Sequence, residues 1–408
     1  MRRTTFPRRG ERWNTGLLYL LAGLTTLGQG SMELTFPLNL HHLGSALPLV
    51  GLGVAVMGAG QIVSRLPGGH WYRPDSAPLL NAAFLASHGL TTIALALTPL
   101  WILQALFVAL HGAAFGLVTT FQLAMLIDSR RREGSMAASI AWYTAAISLG
   151  YAAGSPLGAA AIERFGYAGA FWVSGGVTVV AAALSLTAVP PKGQSETTAP
   201  SLPGWRGLLR ALATLPVSIW VAALLALYLN FITDSVASFF PIYAVGIGIS
   251  LGFVGLLRGL NSLVGAAIRL LAVGMFRVVR PEPANHASVL AMAAAVLALS
   301  LFTSPAALLI VFIVLGASRG IVRITSATLV ADERARLGRS VGLASAVYNS
   351  GLDAGVMLAP PATGLIAGTV GIPAAFRIVA IGLPLLYYVA WTLARARRPE
   401  QAIQARSR

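Results

Sequence analysis

The sequence predicts an all-α integral membrane protein of twelve transmembrane helices in two six-helix bundles, and three observations carry that expectation. The 408 residues are 56% hydrophobic and only 10% charged, with a mean hydropathy of +0.75, whereas a soluble domain carries about 25% charged residues. Twelve mostly apolar runs each approach the roughly 20 residues that a helix needs to cross a bilayer core. The two halves of the chain also resemble each other at a constant offset of 204 residues, half its length.

Taken in order, the first run covers 15–38, behind a basic tail that holds Arg2, Arg3, Arg8, Arg9 and Arg12. That flank resembles a secretory signal, but the apolar stretch continues through Phe36 with no small-residue cleavage site, so a first spanning helix is expected. The next runs are 47–67, closed by Pro67-Gly68-Gly69; 77–98, closed by Pro99; and 101–127, closed by Asp128 and Arg130 to Arg132. Runs 137–161 and 168–189 follow on either side of Glu163-Arg164. The polar, Pro/Ser/Thr-rich and basic segment 190–216 then reads as a linker ending in a short amphipathic helix. Six further runs occupy 217–243, 250–274, 285–304, 306–329, 341–366 and 373–394. The expected domains are therefore an N-terminal bundle over 1–189, a cytoplasmic linker over 190–216 and a C-terminal bundle over 217–408.

The repeat is read in residue types that are rare here. Phe36-Pro37 pairs with Phe240-Pro241, Gly44 with Gly248, Arg65 with Arg269, Arg73 with Arg277, Asp128 with Asp332 and Pro156 with Pro360. Composition alone accounts for many glycine and leucine identities. It does not readily place two arginines, an aspartate and two prolines at matching helix ends under one ungapped offset, so duplication is expected.

The charge balance, 29 Lys+Arg against 13 Asp+Glu for a net +16, would suggest nucleic acid in a soluble protein. Topology accounts for it instead. With a cytoplasmic N-terminus, the tails, the inner loops and the linker collect 23 of the 29 Lys+Arg, and the opposite side holds only Arg164 and Arg377. Both termini are therefore expected in the cytoplasm, with the basic residues near anionic lipid headgroups and no nucleic-acid partner. The absence of cysteine excludes disulfides, thiolate metal sites and cysteine nucleophiles. No phosphate-binding glycine loop or soluble domain with paired carboxylates is present, which argues against an enzyme or an ATP-driven pump.

A charge at mid-span costs about 2.5–3.5 kcal/mol even on a lenient scale, so intramembrane charges point to function. Six stand clear of the loops: Glu33, Asp234 and Asp353, and Arg258, Arg319 and Arg323. Neutral ion pairing between helices would explain them, and so would a cavity that binds solute and couples to protons. The second reading is preferred because the matching first-half positions lack most of these charges. Arg319 and Arg323 are four apart and share a helix face. A guanidinium cannot usefully lose its proton, so the arginines would hold anionic groups, and the proton carrier must be one of the three carboxylates. Asp234 is ranked first, as a partner for Arg258, followed by Glu33 and Asp353, the last with Arg319 as a possible partner. Arg65, Arg73 and Asp128, with Arg269, Arg277 and Asp332, fall at inner helix ends as two candidate gates.

Gln29, Gln61, Gln104, Gln122, Asn230, Asn261 and Asn349 read as interhelical hydrogen bonders. His88 lies on a span expected at the periphery and His111 beside a packing glycine, so neither makes a metal site; His41 and His42 read as surface residues. No cofactor and no metal are expected.

Twelve spans in two sixfold halves with a cytoplasmic linker resemble the major facilitator superfamily. Arg65-Leu66-Pro67-Gly68-Gly69 is similar to that family's signature between helices two and three, although its Asp and Arg positions fall here on Arg73 and Pro74. Gly150, Gly154, Pro156 and Gly158, within Gly-Tyr-Ala-Ala-Gly-Ser-Pro-Leu-Gly, resemble the fifth-helix motif of the drug/proton antiporter branch. Val108 stands where many such exporters have a fourth-helix arginine. The resemblance implies a monomeric secondary transporter of the inner membrane that works by alternating access, with spans one, four, seven and ten lining the cavity. It implies proton-coupled export of small amphiphilic, drug-like compounds. The alternatives are transport of an anionic solute or lipid headgroup by the cavity arginines, and a transport-dead receptor or scaffold on the same fold.

Overall fold

The computed structural model describes residues 9–73, 75–129, 136–188, 212, 215–275, 281–332 and 341–396. Every regular element among them is helical: α1 (Arg9–His42), α2 (Leu47–Trp71), α3 (Ala77–Leu95) and α4 (Trp101–Ser129), followed by Met136–Ser185. That fifth stretch is two helices meeting at a kink at Gly166, where the backbone is non-helical with φ at +72°, a conformation only glycine adopts freely. We treat its two rods as α5 (136–165) and α6 (167–185). They are followed by α7 (Val217–Gly246), α8 (Leu251–Met275), α9 (Pro281–Leu299), α10 (Pro305–Asp332), α11 (Val341–Val370) and α12 (Ile372–Ala396).

The twelve expected runs each correspond to one rod, with two differences. Spans five and six follow one another with no intervening loop, because the single non-helical residue Gly166 turns the chain. The expected loop after span two is shorter, because α2 continues to Trp71 and carries Gly68 against Leu117 of α4, where a Cβ would lie 2.7 Å from Leu117 Cδ2. Nearly all of the expected linker 190–216, its amphipathic helix included, lies outside the described residues.

Nine described stretches are long and apolar enough to cross a membrane, and one of them, Ser139–Ser185, holds both α5 and α6. The two rods outside that set are α1 and α11, which carry Gln29 and Glu33 and, in α11, Asn349 and Asp353. The outward faces are apolar: Val63, Leu97, Ile102, Leu385 and Leu386 are all exposed, as lipid contact requires. The buried set includes Gln29, His88, Gln104, His111 and Gln122.

The chain forms two compact units. The first comprises Met1–Ser45, Val56–Ala199 and Ala244–Leu263; the second comprises Ala46–Ala55, Pro200–Tyr243 and Val264–Arg408. Each unit thus takes a short segment from the other half of the sequence.

Without a hydrophobic force between helices in lipid, close backbone approach must hold them together, and small residues permit it. In the first unit Gly150, Gly154 and Gly158 of α5 lie against α1: a Cβ on Gly154 would sit 2.5 Å from the Leu27 carbonyl, and one on Gly158 2.9 Å from the Ser31 carbonyl. Gly116 of α4 lies against Gln61 of α2. The repeat partners do the same in the second unit, where a Cβ on Gly320 would lie 3.0 Å from the Gly265 carbonyl.

Two further pairs obey the offset of 204. Gly255 meets Pro156 within the first unit, and Gly51 meets Pro360 within the second. Gly44 and Gly248 both take positive φ, +84° and +85°, just after α1 and α7. The next residue of each turn donates back to its helix, Ser45 N–H to Leu40 O at 3.0 Å and Ile249 N–H to Ala244 O at 2.9 Å, the geometry of a glycine-terminated helix.

Because a methyl on Gly154 meets backbone on α1, Gly154→Ala should cost about 1–3 kcal/mol as an overpacking change and lower the melting temperature of the detergent-solubilised protein. Gly16→Ala and Gly382→Ala, where nothing lies within 4 Å of the new Cβ, should leave it unchanged. Equal melting temperatures for all three would remove the α1/α5 seam as a stability determinant.

Candidate functional site

In the first unit the site is assembled from the start of α8 downward. The Glu163 carboxylate at the end of α5 accepts the Gly252 N–H at 2.7 Å, supplying an anion to the first turn of α8 where free N–H groups point outward. One turn on, Gly255 and Gly259 remove the side chains that would hold α8 off Ala152, Ser155 and Pro156. Arg258, between them in sequence, is carried to α1. Its Nη2 lies 3.8 Å from Glu33 Oε2, with side-chain exposures of 9% for the arginine and 28% for the glutamate. Its Nη1 donates to the Glu33 carbonyl at 3.3 Å. Where the sequence favoured Asp234 as the partner of Arg258, the ion pair described is with Glu33.

Glu33 has a second contact, one helical turn back. Gln29 Nε2 donates to Glu33 Oε1 at 3.1 Å, and Gln29 Oε1 lies 2.9 Å from His111 Nε2 on α4. Thr92 Oγ1 on α3 is 2.9 Å from His111 Nδ1 and 2.8 Å from the His88 carbonyl. His88 stacks on His111 with ring centroids 4.1 Å apart. Gln29, His88 and His111 are all fully buried.

Sequence reasoning gave the two histidines no role because α3 was expected at the periphery and His111 lies beside a packing glycine. The signal that could have found them is the spacing of His88 and Thr92, four apart and on one face. Gln29 does hydrogen-bond between helices as expected, as do Gln122, which donates to Thr25 at 3.1 Å, and Asn230, which donates to the Leu352 carbonyl at 3.0 Å. Gln104 instead donates to the Thr98 carbonyl just before its own helix.

In the second unit Asp234 on α7 and Asp353 on α11 are half-buried, Arg319 is half-buried and Arg323 is exposed. Asp234, Asp353 and Arg323 each take part in polar or electrostatic contacts. Asn230 bonds the carbonyl of Leu352, next to Asp353, and Gly355 lets α11 approach Asn230 and Phe231, so α7 and α11 meet near both acids.

A third arginine joins Arg319 and Arg323. Arg269, expected at a gate, lies inside the apolar stretch Leu251–Leu271, donates from Nε to the Gly265 carbonyl at 3.1 Å, and feels the charges of both Arg319 and Arg323. The seam of Gly265, Gly316 and Gly320 brings α8 and α10 together there.

Of the other gate residues, Arg65 is half-buried and Arg73 exposed. Arg277 and the side chains of Asp128 and Asp332 lie outside the described residues. The fifth-helix motif residues Gly150, Gly154 and Gly158 are packing positions against α1, and Pro156 is one against α8.

The chain matches the Major Facilitator Superfamily over residues 18–352. Its fold is similar to a bacterial homolog of the human lysosomal transporter Spinster in an inward-facing, unoccupied conformation, at 13% identity, 96% of each chain covered and a TM-score of 0.74. It is also similar to the nucleoside transporter NupG, at 11% identity over 93% of this chain and 98% of that one, with a TM-score of 0.76. A single-residue variant of NupG gives 0.79 at the same identity. No curated protein matches by sequence.

The ion pair makes a stability prediction. Truncating one partner leaves the other charge desolvated, while removing both does not. Arg258→Leu and Glu33→Leu should each lower stability, and the double variant should be less destabilised than the sum of the two by about 1 kcal/mol or more, measured by thermal or denaturant melting in one detergent. Strict additivity would show that the two groups are energetically independent.

Proposed function

The chain belongs to the Major Facilitator Superfamily and is a multi-pass membrane transporter rather than an enzyme, and we propose that it moves a small organic anion together with protons. The observation that carries this reading is the arginine cluster of the second unit. Apart from Glu282 and Arg377 at helix ends, the described spanning charges of that unit are Asp234 and Asp353 against Arg269, Arg319 and Arg323. One positive charge is left over in a setting where each charge is expensive. A singly charged anion would balance it, and guanidinium groups offer such a group paired, planar donors. Glu33 is the coupling carboxylate on this reading. It is the more exposed member of its pair, so water reaches it, and a proton on it would release Arg258.

The competing reading, export of amphiphilic drug-like compounds, rested on the fifth-helix motif. Those glycines and Pro156 are accounted for by packing against α1 and α8, which leaves the motif silent about cargo. The similar structures are named for a lysosomal transporter and a nucleoside transporter, and at such low identity they bear on fold alone. We further propose a monomer in the inner membrane with both termini cytoplasmic, from the distribution of Lys and Arg. Inner gates would pair Asp128 with Arg65 or Arg73 and Asp332 with Arg269 or Arg277.

Purified protein in proteoliposomes tests the proposal. A pH gradient should drive flux of small carboxylates or phosphate esters and not of quaternary-ammonium amphiphiles, and affinity for the anion should fall as salt rises. Arg319→Lys, which keeps the charge but loses the fork, should weaken anion binding at least tenfold. Flux of cationic amphiphiles that is indifferent to Arg319→Lys would overturn the anion reading, and absence of any flux under a gradient would favour a transport-dead receptor.

A further inference from the structure

The buried chain from Glu33 through Gln29 to His111 has a property that simple helix cross-linking does not need: its hydrogen bonds can be satisfied in more than one protonation state. An ionised Glu33 accepts from Gln29 Nε2, which turns Gln29 Oε1 toward His111. An amide oxygen only accepts, so His111 must carry a proton on Nε2. On the other side of the ring, Thr92 has one hydroxyl proton and two acceptors in reach, His111 Nδ1 and the His88 carbonyl. With His111 neutral, Thr92 donates to Nδ1. With His111 protonated, Nδ1 donates to the Thr92 oxygen and Thr92 donates to the carbonyl. Neither state loses a bond at His111.

A proton on Glu33 permits a third arrangement. The carboxylic acid donates to Gln29 Oε1, the amide turns over, and Gln29 Nε2 donates to a bare His111 Nε2. His111 then carries its proton on Nδ1, facing Thr92. Glu33 ionised with His111 protonated, and Glu33 protonated with His111 neutral, hold the same number of protons; they differ by one amide flip and by the place of one proton, which is held on His111 Nε2 in the first state and on the Glu33 carboxyl in the second.

His88 limits the count to one. Its Nδ1 faces the His111 carbonyl at 3.4 Å and must donate, which leaves Nε2 bare, buried and without a hydrogen-bond partner. Two imidazolium rings 4.1 Å apart would repel strongly in a low-dielectric interior. The titratable and charged groups linked to His111 are His88 from α3, stacked on it, Glu33 from α1 through Gln29, and Arg258 from α8 through Glu33. The α2 stretch 54–61 has none and offers Met57, whose sulfur lies 3.8 Å from Gln29 Nε2. The negative charge of Glu33 favours a proton on His111, and Arg258 offsets that charge when paired.

We propose that His111 is a second proton-binding site of the carrier, coupled through the Gln29 amide to Glu33, so that the carboxylate and the imidazole share a single transported proton. This rests on the reading that transport is proton-coupled. His88 is its positioning residue, stacking on the ring and holding the pair to one charge.

The test joins a direct proton readout to transport. Full-length protein in lipid nanodiscs with 15N-labelled histidine is titrated from pH 4 to 9, with His111 assigned by its loss in His111→Gln. His111 should titrate in that window, and Glu33→Gln should lower its midpoint by removing the negative charge. Gln29→Met, which keeps the bulk and removes the amide, should shrink that dependence. In proteoliposomes His111→Gln should lose gradient-driven accumulation but retain downhill exchange and substrate affinity, with melting temperatures confirming that each variant folds. No titration of His111 in the wild type, or unaltered uphill transport in a folded His111→Gln, overturns the proposal. If wild-type flux ignores the pH gradient altogether, the proton-coupled reading itself falls. If the gradient drives the wild type and His111→Gln alike, only the shared-proton site falls.

Discussion

Backbone-to-backbone contact at glycine is the constraint on which the rest of this structure depends. In a bilayer the tails outside are as apolar as the side chains inside, so helices gain little from burying leucine against leucine. Contact must come from dispersion and polar bonds at short range, and a Cβ at Gly154, Gly255 or Gly320 would force the backbones apart. Remove that approach and the buried polar groups lose their partners, because the bonds from Gln29 to His111 and from Arg258 to Glu33 span helices held at that distance.

The seams therefore act on chemistry indirectly. Arg258 reaches Glu33 because Glu163 pins the first turn of α8 and Gly255 and Gly259 bring it onto α5. Arg269 joins Arg319 because Gly265, Gly316 and Gly320 bring α8 onto α10. At Arg258, whose side chain is 9% exposed, solvation by water has been replaced by fixed partners on Glu33. That replacement is what makes the charge sensitive to a conformational change: a shift of the seam alters its solvation at once.

Much of the architecture was legible in the sequence. Span length is set by bilayer thickness, so apolar runs alone located all twelve rods, and the repeat forecast the matching turns at Gly44 and Gly248 and the matching contacts of Pro156 and Pro360. The site was legible only in part. Glu33 and Arg258 stood out because charge within a span is rare, but their partnership was not evident, since pairing depends on helix rotation and register that hydropathy does not encode. Sequence order favours Asp234, on the adjacent span, as the partner of Arg258. His88, Thr92 and His111 were missed for a related reason. Each is an uncharged polar residue on an apolar helix, and only the packing of α1, α3 and α4 turns the three into one connected group. The break between spans five and six was read at Glu163-Arg164, whereas the chain turns at the single non-helical residue Gly166.

The repeat also separates what is structural from what is chemical. Glycines and prolines at the contacts recur under the 204-residue offset, as do the turns that follow α1 and α7. The polar groups do not recur: Glu33 corresponds to Ala237, Gln29 to Thr233, His111 to Leu315, and His88 to Met292. In the other direction Arg319 corresponds to Phe115, Arg323 to Thr119, Asp234 to Gly30 and Asp353 to Leu149. Arg269 keeps its counterpart in Arg65, yet only in the second half does it find two more arginines beside it. A duplicated scaffold whose packing is held fixed can place a connected carboxylate, amide and histidine group in one unit and an excess of positive charge in the other. Such a division has a physical merit. On that reading a proton at Glu33 would free Arg258 from its partner while an anion at Arg319 would offset the excess positive charge, so neither event has to compete with the other for the same group.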